Sequence, residues 1–86
     1  MTIWKFTLKI EDEVAIAMPR GAVPISVEMQ GKDLCLWAVV NEDAGLVVRT
    51  FLIRGTGHPM NGAQASDFIG TIQNGPFVWH VFNGKR

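Results

Sequence analysis

Charge is scarce in this chain, and so is cysteine. Only 19% of its 86 residues are charged, and eight Lys plus Arg offset eight Asp plus Glu, leaving a formal net charge of zero. A duplex DNA binder needs clustered Lys and Arg to neutralise phosphates, so that class of partner is excluded. Low charge on a small surface also favours self-association. Cys35 is the one cysteine, and a single thiol closes no internal disulfide. No apolar run approaches the roughly 18 residues of a membrane span. The opening Met1-Thr2-Ile3-Trp4-Lys5 continues to Lys9 without the apolar centre of a signal peptide. The expected compartment is therefore a reducing cytoplasm, with no membrane contact. His58, His80 and Cys35 show none of the paired spacings of a zinc site, so neither metal nor any other cofactor is expected.

A sustained helical stripe is missing too, whereas alternation with a period of two runs through most of the chain. Apolar residues reach 48%, too many for disorder and enough for one core. The pattern predicts an all-β fold: a small antiparallel β-sandwich or open barrel of about seven short strands. It forms a single β domain over residues 1–86, with a long loop near 55–66.

Trp4, Phe6, Leu8 and Ile10 alternate with Lys5, Thr7 and Lys9, and Val14, Ile16 and Met18 continue that face across a Glu11-Asp12-Glu13 loop. This predicts a first hairpin. The next hairpin has Gly31-Lys32 at its tip, pairing Met29 with Leu34, Val27 with Leu36, Ile25 with Ala38 and Val23 with Val40. Beyond a polar turn at 41–45, Leu46, Val48, Thr50 and Leu52 can pair with Val40, Ala38, Leu36 and Leu34. The opposite face then carries Trp37, Val39, Phe51 and Ile53, which predicts a homo-oligomer through those residues. A last hairpin sets Phe68, Gly70 and Ile72 against Val81, Trp79 and Phe77, around a four-residue loop because Pro76 lacks a donor. Residues 83–86 read as a frayed tail.

Arg54-Gly55-Thr56-Gly57-His58-Pro59 is the sharpest local signal. Backbone N–H groups near glycines converge on anions, and Arg54, Thr56 and His58 add charge and directional donors, which suits a phosphate. The plainer reading is a turn, since the spacing matches no phosphate-loop fingerprint and no helix follows. On the anion reading, Arg54→Ala weakens binding and leaves stability nearly unchanged. Trp37 and Arg49 fall opposite each other in the inferred register, as a surface cation–π pair or, with Trp79, as a base-stacking platform. His80, between Val78 and Phe82, reads as a buried, hydrogen-bonded histidine. The carboxylates cluster at turns, where nothing tunes their acidity, so catalysis is not expected.

Ile3-Trp4-Lys5, Pro19-Arg20-Gly21-Ala22, Leu36-Trp37-Ala38, Gly55-Thr56-Gly57-His58-Pro59 and Val78-Trp79-His80-Val81-Phe82 occur together. Through these blocks the whole chain resembles a family of short bacteriophage and prophage proteins. The resemblance implies a phage origin and action in the cytoplasm of an infected bacterium. By analogy of context, the expected function is non-enzymatic accessory binding, in its sharper form an oligomeric sponge for a phosphate-bearing nucleotide immune signal. The alternatives are a protein–protein inhibitor of a host defence protein or structural accessory factor, and a small hydrolase using His58.

Overall fold

Local alternation decides where strands form, but sequence neighbours are not always sheet neighbours. The computed structural model describes residues 1–84. They form β1 (Thr2–Leu8), β2 (Glu13–Pro19), β3 (Val23–Gln30), β4 (Asp33–Val40), β5 (Leu46–Gly55), β6 (Phe68–Asn74) and β7 (Phe77–Asn83), with one 3-10 turn at Ala65–Asp67. The fold is all-β: a three-stranded antiparallel sheet ordered β1-β4-β3 packs on a four-stranded one ordered β2-β5-β7-β6. No helix among the described residues is long and apolar enough to cross a membrane.

Inward-facing residues of both sheets form one core. Leu8, Val27, Leu34, Leu36, Ala38 and Val40 come from the first sheet, and Val14, Met18, Phe51, Ile53, Ile72 and Val81 from the second. Burying each large aliphatic or aromatic side chain contributes roughly 1.5–3 kcal/mol. The sandwich is tightest where β3 lies against β6. There Gly70 permits the approach, because a Cβ on it would stand 2.7 Å from Val27 Cγ2.

The pairing corrects several expectations. β1 and β2 do not form a hairpin: Lys9–Asp12 carries the chain from one sheet to the other, so β1 pairs with β4 (Phe6 with Leu36) and β2 with β5 (Val14 with Phe51). β4 and β5 also lie in different sheets, and residues 41–45 are a crossing in which Asn41 Oδ1 accepts from Asp43 N–H at 3.1 Å. Phe51 and Ile53 are consequently core residues, not surface contacts.

The β3–β4 hairpin keeps Met29 opposite Leu34 and Val27 opposite Leu36, but a bulge between Pro24 and Ser26 then pairs Pro24 with Ala38 and Val23 with Val39. Pro24 has no N–H to give the ladder, and bulges are where sheets accommodate that. In the last hairpin Gly75-Pro76 is the tip, closing on Asn74 and Phe77, so Ile72 faces Trp79 and Gly70 faces Val81. Gly75 has φ +59°, the conformation that a two-residue turn starting with glycine requires. Pro76 then occupies the second tip position, whose N–H the closing pair does not use. At the chain's end Asn83 belongs to β7 and Gly84 N–H donates to Thr50 O at 2.7 Å. Residues 85 and 86 of the expected tail lie outside the described residues.

Candidate functional site

Arg54 sits on the outer face of β5, opposite His80 of β7. Its guanidinium is turned onto the protein's own carbonyls. Nε donates to Met60 O at 2.7 Å, Nη1 to Asp12 O at 2.7 Å and Ile53 O at 3.1 Å, and Nη2 to Asn61 O at 3.0 Å. Met60-Asn61-Gly62-Ala63 is a tight turn, with φ of +45° at Asn61 and +92° at Gly62 and Ala63 N–H donating to Met60 O at 3.0 Å. One side chain thus pins this turn to the β1–β2 crossing.

Two backbone donors of this loop are similarly engaged. Thr56 N–H donates to Val78 O at 3.3 Å and His58 N–H to Gly55 O at 3.0 Å. The Thr56 hydroxyl lies 2.8 Å from His80 Nε2, and the Thr71 hydroxyl 2.9 Å from His80 Nδ1. His80 therefore clasps the start of the loop to β6 through both ring nitrogens; it is hydrogen-bonded as expected, but half-buried on the outer face and not buried. In this conformation the residues that suggested an anion cradle form the hydrogen bonds of a folded turn.

Aromatic rings gather on the other side of the loop. Gly55 faces inward beside Trp79, and a Cβ there would lie 2.7 Å from His58 Nδ1 and 3.1 Å from the Trp79 ring. The His58 and Trp79 centroids are 6.2 Å apart, edge to face, while Phe77 stacks on Trp79 at 5.9 Å and 23°. A cleft of about 170 Å³ lies along Gly55, Thr56, His58, Phe77 and Trp79. Phe77 is 57% exposed. The sequence offered Trp79 as a stacking residue and missed Phe77, whose exposure follows from its place beside the Gly75-Pro76 tip.

Trp37 and Arg49 are not brought together. Trp37 is on the outer face of β4, whereas Arg49 points between the sheets and is 7% exposed. The reason is the crossing between β4 and β5. Arg49 donates to Ala22 O at 2.9 Å and Asn83 Oδ1 at 3.1 Å, with its guanidinium 5.8 Å from the centre of the Phe51 ring. With Arg20, Val23 and Val47 it lines a surface cleft of about 490 Å³.

The outer face of the β1-β4-β3 sheet carries a continuous apolar row. Ile3 pairs with Val39, and Val39 with Val23. Ile3 is 57% and Val23 55% exposed, and half-buried Trp37 lies one pair further along β4. Lys5 lies beside Trp37 and Glu28 beside Cys35, both on the Trp37 side of this row. Away from it, Glu42 accepts from the Thr2 hydroxyl and lies 3.0 Å from the Met1 amino group, and those contacts lower its pKa to about 2. That carboxylate fastens the start of β1. No group of three or more His, Cys, Asp or Glu is gathered as a metal site among the described residues.

No curated protein and no solved structure matches this chain. A family model does, over residues 1–86, and the chain belongs to the family described as Domain of unknown function (DUF7352).

Proposed function

We propose that this protein is a non-enzymatic accessory factor that works by binding another protein through the outer face of its three-stranded sheet. The observation that carries this reading is the exposed row Ile3, Val39 and Val23 beside Trp37, bordered by Lys5 and Glu28. An apolar centre holding an aromatic residue with charged neighbours at its border is the anatomy of a protein-recognition patch. The sequence resemblance to phage-encoded proteins supports a partner among host defence proteins of an infected bacterium. A photo-crosslinking residue at position 23 should capture one host protein, and Val39→Glu should abolish that crosslink with the circular dichroism spectrum unchanged. Equal capture from position 32, at the remote hairpin tip, would count against the patch.

A nucleotide ligand is the second reading, favoured by the exposed Phe77 stacked on Trp79 beside His58. Base–aromatic stacking contributes roughly 1–3 kcal/mol per base. Calorimetric heat with mononucleotides or cyclic dinucleotides that disappears in Phe77→Ala would shift the assignment to this cleft.

A further inference from the structure

Two-sheet sandwiches have four strand edges, and here they differ in chemistry. β3 and β6 each carry a bulge, between Pro24 and Ser26 and between Phe68 and Gly70, and they lie against one another. Bulges and mutual cover are how sheets prevent an edge from recruiting another strand. On the opposite side β1 and β2 barely touch. β1 carries Lys5 within the strand and Lys9 just beyond it, charges that discourage edge pairing, whereas Glu13–Pro19 holds neither Lys nor Arg and pairs with β5 without a register break.

The direction of the free backbone groups on β2 follows from its ladder. Ile53 N–H donates to Asp12 O at 3.1 Å, and Arg20 N–H donates to Gly45 O at 2.9 Å, at the two ends of the β2–β5 pairing. Narrow and wide pairs alternate along an antiparallel ladder. Val14, Ile16 and Met18 therefore direct their backbone groups at β5, and Glu13, Ala15 and Ala17 direct theirs at the open edge. The Pro19 carbonyl accepts from Ala22 N–H at 3.1 Å, closing the turn that follows, so Pro19 adds no free group to that edge. The Ala15 and Ala17 side chains are exposed on the outer face, next to Val48 at 71% exposure. Beyond Glu13 that edge is uncharged, and its side chains are small enough for close approach.

We infer that β2 pairs with β2 of a second copy of this chain, antiparallel about a two-fold axis at Ile16, joining two four-stranded sheets into one. This goes beyond the binding reading above and uses a different surface. The register is fixed by charge as well as by backbone direction. With Ile16 on the axis, Ala15 faces the second copy's Ala17, and both present outward donors and acceptors. Glu13 faces Pro19 at the end of the paired segment, so the proline, whose carbonyl is held by Ala22 N–H, falls outside the Ala15–Ala17 bonds. Asp12 faces Arg20, and by symmetry this pairing of opposite charges occurs twice. Shifting the axis to Ala17 would set Ala15 against Pro19 and remove a donor from the ladder. A second copy satisfies both the hydrogen-bonding edge and its charged ends.

Sedimentation velocity and amide hydrogen exchange on the intact chain test this directly. We expect a dimer at about 100 µM, with the Ala15 and Ala17 amides exchanging at least about tenfold more slowly there than at about 1 µM, because their outward N–H groups gain partners only on pairing. Ala15→Pro removes an outward N–H that the β2–β5 ladder does not use, so it should yield a folded monomer. Arg20→Glu should weaken the dimer by roughly tenfold at low salt, as expected for losing and reversing an ion pair at each end, and Asp12→Lys in the same chain should restore it. A chain that stays monomeric at all these concentrations overturns the proposal. So does a dimer in which the Ala15 and Ala17 amides remain fast, or one that Ala17→Lys leaves intact.

Discussion

Arg54 shows why a residue's chemistry and its role are separate questions. Its donors suit a phosphate, and the sequence marks it as the charged member of a glycine-rich turn. Which acceptors it meets depends on Asp12, Met60 and Asn61 arriving beside it, and only the fold arranges that. We therefore expect Arg54→Ala to lower stability by about 2 kcal/mol in urea unfolding, since hydrogen bonds from a charged donor contribute roughly 1.5–3 kcal/mol. This replaces the expectation of a nearly neutral change. Arg54→Lys should recover little, because an ammonium cannot span acceptors arranged around a planar fork. An unfolding midpoint unchanged by Arg54→Ala would show that the turn holds without it. His80 was easier to read, because a histidine flanked by apolar residues on a strand needs partners for its ring nitrogens, and Thr56 and Thr71 supply them.

Strands were legible where their partners were close in sequence. The Gly31-Lys32 turn fixed Met29 against Leu34 and Val27 against Leu36, and the last hairpin was found with its register displaced by two residues. Alternation tells a strand which face is apolar but carries no information about which distant strand lies beside it. The β1–β4 and β2–β5 pairings were therefore not visible, nor was the bulge that turns Ile25 out to 49% exposure. Gly70 tests the element-level packing. Gly70→Val should cost about 1–3 kcal/mol by overpacking against Val27, measured by thermal unfolding, and Val27→Ala in the same chain should recover part of that loss. Equal loss in single and double variants would mean that the two sheets do not meet there.

At the level of the whole molecule, two hairpins are local and three strand pairings, β1–β4, β2–β5 and β5–β7, are not. Chain entropy favours early closure of short loops. In chevron analysis Met29→Ala, beside the Gly31 turn, should mainly slow folding, whereas Val14→Ala, in the long-range β2–β5 pairing, should mainly speed unfolding. A folding limb slowed equally by both would argue for a nucleus that already contains β2. The same topology bears on synthesis. Glu13 finds its partner Leu52 39 residues later in the chain, so at roughly 5–20 residues per second β2 emerges from a ribosome several seconds before β5 can cover it. During that interval a strand without Lys or Arg has both edges open, and neighbouring nascent chains on one message would present the same strand to each other.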